Sequence, residues 1–368
     1  MKNMKKLLSL LLALVFVVGC LAGCGGTTSG GSSGEPAGDV KELAVMVPSA
    51  DHGWSGAVLT YAQEQAEELN ADPDFSAQYV AKVYSATGVE NQIQQVDDLL
   101  SNPDKLAGIV ILPYDNGLQS TLEKIAAADV PFVQFDRVIE SEVLDAKVVA
   151  NVKGDNEGLG YETAKRFIAD GMTKDDYVYE MIGDNSSVPE LRSKGFRTYL
   201  QEQGWTEEEI DHVVVKSAAT NWSRDTGREL FESWFGSSQC DTSRNIWIYT
   251  HDDGIALGVM ESLNSSALDA TKKEAFLKSF KGLSAPGGLA ETYAVLKGTH
   301  QTLATPETYD MFSVTYDPAM ICEAVDVMIR YLGGETDIEK DYVIPVDVVD
   351  ATNVNDFRPF GTYEEKAA

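Results

Sequence analysis

Two tryptophans, two arginines and several aspartates fall at comparable places in this chain, each just beyond a short apolar run. Trp54 ends the tetrapeptide Asp51-His52-Gly53-Trp54 that follows Leu43–Val47. Asp115, within Tyr114-Asp115-Asn116, follows Leu106–Pro113, and Asp136-Arg137 follows Val130–Phe135. In the second half Gly183-Asp184-Asn185 follows Tyr177–Ile182, with Arg192 shortly after it. Asn221-Trp222 follows Val213–Lys216, and His251-Asp252-Asp253 follows Ile246–Tyr249. This set of groups suits a polyhydroxylated ring. Carboxylates and amides take hydroxyl protons while guanidinium groups supply them, and an Asp beside an Arg can hold neighbouring hydroxyls. The C–H-rich faces of such a ring lie flat on indoles.

Magnitudes divide the work between the two kinds of group. Two ring faces burying about 60 Å² each supply about 3 kcal/mol, whereas a micromolar complex needs about 8 kcal/mol. Stacking alone does not suffice, so the polar groups must carry the rest and set specificity. Each residue also has an ordinary use. Trp54 and Trp222 could be core aromatics, and Asp115, Asp252 and Asp253 helix N-caps. Asp136-Arg137 could be a surface ion pair, Arg192 a solvated helix residue, and His52 and His251 polar loop residues. Their collective placement favours the binding reading.

That placement depends on the elements between. From Leu43 onward short apolar runs alternate with helical spacing, as in Gly53–Asn70, where Val58, Tyr61, Ala62, Gln65, Ala66 and Leu69 repeat. The first series predicts strands at Leu43–Val47, Tyr79–Tyr84, Leu106–Pro113, Val130–Phe135 and Val148–Val152. After a seam at Asn151–Asp155 the second predicts Tyr177–Ile182, Val213–Lys216 and Ile246–Tyr249. Phe276–Phe280, Met311–Thr315 and Tyr342–Val349 are further strands, the last with Pro345 marking an edge or a crossing. Continuous apolar strands are those of a parallel sheet covered on both faces. Repeated βα units give right-handed crossovers. The fold class is therefore α/β, with two doubly wound parallel-sheet lobes. Ligands of such sheets bind outside the carboxyl ends of the strands, where the residues above are found.

The N-terminus reads as a targeting segment. Lys2, Lys5 and Lys6 precede the apolar run Leu7–Val18, and Leu21-Ala22-Gly23-Cys24 resembles a bacterial lipobox, with Val17-Val18-Gly19-Cys20 a poorer match. Cys24 is then the lipid-attachment residue, residues 1–23 a signal peptide, and the Gly/Ser-rich stretch 24–41 a tether. The formal charge of −29 repels phosphate backbones, which argues against nucleic acid. Cys240 and Cys322 could pair in an exported protein, although free buried cysteines are the favoured reading. No CxxC or HExxH spacing occurs, so no metal or cofactor is expected.

Val133-Gln134-Phe135-Asp136-Arg137, Asp155-Asn156-Glu157-Gly158-Leu159-Gly160, Arg192-Ser193-Lys194-Gly195-Phe196 and His251-Asp252-Asp253-Gly254-Ile255-Ala256-Leu257-Gly258 make the chain, from Leu43 to Asn355, resemble type I periplasmic binding proteins of the ribose- and galactose-binding group. The resemblance implies two lobes, 42–152 with 317–345 and 153–316 with 346–357, and a tail at 358–368. They would be joined by a three-crossing hinge near Asn151–Gly154, Tyr316–Asp317 and Pro345–Asp347. It implies a monomeric solute-binding lipoprotein outside the cytoplasm that delivers a sugar to an ABC transporter permease. Trp54 and Trp222 match the family's stacking aromatics, Asp136 and Arg137 its Asp-Arg pair, and Arg192 its second-lobe arginine. Asp252 matches an Asn/Asp position, Tyr316 a hinge-side contact, and His52 a position often Asn. Where the family supplies an Asp after Phe280, this chain has Lys281. Either Ser284 fills that place or the ligand offers an acceptor there.

Two rival readings are a sensor partner for autoinducer-2 or a nucleoside, and a lipid-anchored sugar-modifying enzyme. Against the enzyme, no GxSxG elbow, P-loop or GxGxxG turn follows any of the expected strands.

Overall fold

The computed structural model describes residues 40–50, 53–304 and 306–366. His52, Cys24, the signal segment and the tether as far as residue 39 lie outside them, and Lys41, the expected end of the tether, opens the first strand. Among the described residues twelve strands follow in order: β1 Lys41–Pro48, β2 Tyr79–Ala86, β3 Leu106–Ile111, β4 Phe132–Phe135, β5 Ala150–Gly154, β6 Tyr177–Met181, β7 Val214–Lys216, β8 Ile246–Thr250, β9 Phe280–Ser284, β10 Asp310–Val314, β11 Asp341–Ile344 and β12 Val348–Val349. They form two six-stranded sheets, ordered β11-β5-β4-β3-β1-β2 and β12-β10-β9-β8-β6-β7. Every pairing is parallel except β10 with β12. The expected pair of doubly wound sheets is what the chain builds.

Burial explains why continuous apolar runs were legible as strands. Every residue of β3, β4, β6 and β8 is buried, because helices cover both faces of each sheet. Strand order reverses around β1 in one sheet and around β6 in the other, so a crevice opens beyond the carboxyl ends of β1 and β3 and of β6 and β8.

The chain passes between the sheets three times: from β5 into the helix Asn156–Ala169, from β10 towards the helix Met320–Leu332, and from β11 to β12. The run expected as one strand, Tyr342–Val349, is thus two strands of different sheets, with Pro345 between them. Proline has no N–H to give a ladder, which suits it to a crossing.

One strand lies elsewhere than expected. Phe276–Phe280 is not a strand; Ala270–Ser279 is a helix and β9 begins at Phe280. Phe276 and Phe280 pack in the same apolar cluster, and a five-residue apolar run fits a helix end as well as a strand. The last residues are docked as well: Ala290 donates to the Phe360 carbonyl (2.9 Å), Phe360 donates to Gly288 (3.0 Å), and Tyr363 stacks on His300.

The helices Asn156–Ala169 and Ser187–Glu202 touch backbone to backbone. A Cβ on Gly160 would lie 1.9 Å from the Arg192 carbonyl oxygen, and one on Gly195 1.8 Å from that of Glu157. This approach sets the spacing between Asn156 and Arg192, one on each helix.

Candidate functional site

Loops from both sheets meet over one cleft. Its inner pocket is lined by Trp54, Asp136, Arg137, Arg192, Trp222, Asp252 and Tyr316, with Val188, Pro286 and Gly287. Its void, mouth included, is about 400 Å³, yet side chains leave only about 30 Å³ open to the centre of a water molecule. An outer pocket, with a void of about 1280 Å³ mouth included, continues past Tyr114, Asp115, Asp184 and Asn185, sharing Trp54, Arg137 and Trp222.

Trp54, in the first turn of the helix after β1, lies parallel to Phe135 (15°, 6.2 Å) and donates its indole N–H to the Tyr316 carbonyl at 3.0 Å. Trp222 is placed differently. Asn221 and Trp222 both have φ in the left-handed region, +53° and +60°. That is unfavourable for residues with a Cβ and persists only where surroundings enforce it. The enforcement is visible: Thr220 and Asn221 donate their N–H groups to Ile182 and Gly183 at 3.0 and 2.8 Å. The indole lies against Gly183, where a Cβ would come within 2.3 Å of the ring, and its N–H donates to Asp184 at 2.8 Å.

Asp136, buried and also left-handed (φ +60°), follows β4 and accepts from the Tyr316 hydroxyl. Burial pushes its carboxyl above the usual range against the pull of Arg137, Tyr316 and Arg192. Arg137 donates to the Tyr114 carbonyl, stands 3.5 Å from Asp184 across the cleft, and keeps its Nε–H buried without a hydrogen-bond partner among the described residues. Arg192 is 4% exposed; it donates to the Asn156 side-chain oxygen at 2.9 Å and to the His251 carbonyl, and its guanidinium lies 4.6 Å from the Tyr316 ring centre and 5.4 Å from that of Trp222. Asn156 completes the chain by donating to the Tyr316 hydroxyl at 3.0 Å. A continuous polar path thus joins Asp136 of one sheet to Arg192 of the other through Tyr316 and Asn156.

Asp115 and Asp252 act as N-caps, each accepting the N–H of a glycine two residues on at 2.7 Å, while also facing the cleft. Asp253 is buried below and accepts from Gly288 (3.0 Å) and Leu289 (2.6 Å), which anchors the Pro286-Gly287 loop. Burial and the charge of Asp252 push its carboxyl well above the usual range.

Lys281 does not belong to the cleft. Because β9 starts at Phe280, Lys281 sits near the amino end of the strand and donates to the Lys278 carbonyl at 3.0 Å. The cleft lies at the other end, where Pro286 and Gly287 line it. Ser284, the alternative, is fully buried in β9, its hydroxyl 3.5 Å from the Thr250 carbonyl. Sequence reasoning gave no role to Asn156, and named Asp184 at a strand end without choosing it as a contact. Both stood in quoted stretches, but nothing in a sequence says which way a polar side chain points.

A buried pair supports the floor. His251 is fully buried, and since Glu180 accepts, Nε2 carries the proton of their 3.0 Å hydrogen bond. Burial outweighs the carboxylate and holds the imidazole below its ordinary 6.5. As pH falls below about 6.5 the unfolded chain therefore takes up this proton before the folded one does, and stability drops. His251→Gln should show a shallower loss of melting temperature than the wild type between about pH 7 and 5.5 by calorimetry. Equal slopes would contradict this.

The comparisons agree with this architecture. Residues 43–336 match the periplasmic binding protein domain model, and the chain belongs to that family. It is 22% identical over 312 residues to the fructose import binding protein of Bifidobacterium longum, covering 83% of this chain and 84% of that one. It is 31% identical over 184 residues to the ribose import binding protein of Bacillus subtilis, 49% of this chain and 52% of the relative. Solved structures share the fold: a galactofuranose binding protein (TM-score 0.68, 17% identity, 86% of this chain and 96% of that one) and the arabinose-transporter binding protein of Shewanella sp. ANA-3 (0.67, 17%, 86% and 94%).

Proposed function

We propose that this chain captures a monosaccharide or related polyol between its two lobes and delivers it to an ABC importer from outside the cytoplasm. The observation that carries the reading is the convergence of two indoles, two guanidinium groups and four carboxylates, drawn from both sheets, on one cleft. The relatives named for ribose and fructose import, and the galactofuranose- and arabinofuranose-binding structures, support a sugar as the ligand.

In this reading the lobes are 42–152 with 317–345 and 153–316 with 346–357. Cys24 bears the lipid, residues 24–41 hold the monomeric body off the membrane, and the protein binds without chemistry. Entry requires the lobes to part, because the inner pocket is crowded and Arg137 faces Asp184 across it. Closure around the solute is a hinge motion at the three crossings.

Thermal-shift screening of the purified chain against pentoses, hexoses, inositols, uronic acids and nucleosides tests this. A ligand at a hundredfold over its Kd should add about 2.7 kcal/mol of stability. No shift with any sugar or polyol would contradict the reading, as would turnover of glycosides or phosphosugars.

A further inference from the structure

The two cleft arginines, both within the field of Asp136, are paired differently. Arg192 donates to the Asn156 side-chain oxygen and the His251 carbonyl, neither of them charged. Arg137, apart from backbone carbonyls at Pro113 and Tyr114, meets a carboxylate from the opposite lobe: its Nη2 lies 3.5 Å from Asp184 Oδ2. Asp184 is held firmly for this. The same oxygen accepts the Trp222 indole N–H at 2.8 Å, and the other accepts the Ser186 N–H and hydroxyl at 2.9 and 2.6 Å. Burial alone would raise this carboxyl, but Arg137 and these hydrogen bonds hold it below the usual range, so it is ionised. Its side chain keeps 22% exposure, on the wall of the outer pocket.

This matters for what the cleft accepts. A free guanidinium fork matches a carboxylate in shape and charge. A sugar hydroxyl can enter beside the Arg137–Asp184 pair, accepting from one and donating to the other. The carboxylate of a sugar acid has no proton to give Asp184 and meets its charge at close range. Asp136 and Asp252 add further acidic groups around the same pocket.

Resting on the reading of the cleft as a sugar site, we propose that Asp184 is a specificity-determining residue: it occupies the Arg137 charge from across the cleft, so that the site takes uncharged polyols and excludes the matching sugar acids. Because the two residues belong to opposite lobes, charge selection operates as the lobes close.

The test is calorimetric titration of the wild type and Asp184→Asn with matched pairs: glucose with glucuronate and gluconate, galactose with galacturonate, ribose with ribonate. The wild type should bind its preferred neutral sugar at least about a hundredfold tighter than the matching acid. In Asp184→Asn, whose single amide oxygen can serve either the Trp222 N–H or the Ser186 donors, that ratio should fall at least tenfold. The acid affinity gained should weaken when salt rises from about 50 to about 500 mM, and adding Arg137→Met should cancel it. Asp184→Ser removes the same charge and repeats the test where the Asn variant fails to fold.

A wild type that binds the acid as tightly as the neutral sugar overturns the proposal, and so does a ratio unchanged by loss of the Asp184 charge. Binding of neutral sugars with an unchanged ratio removes only the role of Asp184. If neither sugars nor acids bind the wild type, the carbohydrate reading itself fails and takes this proposal with it.

Discussion

Trp222→Ala should weaken binding of the sugar at least about thirtyfold, a loss of about 2 kcal/mol or more of the kind seen when a buried indole anchor is truncated. The unliganded protein should melt within a few degrees of the wild type. Trp222 belongs to none of the apolar clusters, and its indole is held at the cleft by Gly183 and Asp184 rather than by the core. Its left-handed backbone sharpens the test. Trp222→Gly relieves the strain that the tryptophan carries at φ +60°, so it should bind as poorly as the alanine variant yet melt no lower than it. Titration calorimetry and thermal melts separate the two effects. Full affinity in both variants would mean the indole does not touch the ligand.

Gly195→Ala should have the largest effect on stability. Its new methyl would meet the Glu157 backbone at 1.8 Å, where no flexible side chain can give way, so the two helices must move apart. Overpacking of this kind costs about 3 kcal/mol. At ~2–4 °C per kcal/mol, the melting temperature should drop by roughly 6–12 °C. Binding should weaken too, since Asn156 and Arg192 ride on the separated helices. Gly236→Ala is the control: it ends the helix Arg224–Gly236 with open space around it, and should be neutral or slightly stabilising. Equal melting temperatures for the two variants would contradict the close approach.

The contrast between these glycines shows what a sequence reveals and what it hides. The alternation of apolar runs with helical spacing exposed both sheets, since buried parallel strands must be apolar throughout. Strand ends then pointed to the cleft, and Trp54, Asp136, Arg137, Arg192, Trp222 and Asp252, with Tyr316 from the family resemblance, all line its inner pocket. Where a run was short and equally suited to a helix end, as at Phe276–Phe280, the strand was misplaced and Lys281 was put at the wrong end of it. The Pro286-Gly287 loop was hidden by the same error. Asn156 went without a role, and Asp184 was named at a strand end without being singled out, for another reason. Their roles depend on partners 160 residues away (Tyr316) and 38 residues away (Trp222), and no local pattern records such a contact.

The most direct measurement is a crystal structure of the protein with the ligand that the thermal screen selects. The account predicts a ring seated between Trp54 and Trp222, its hydroxyls on Arg137, Arg192 and the cleft aspartates. A ligand bound away from both indoles, or on one lobe alone, would contradict it.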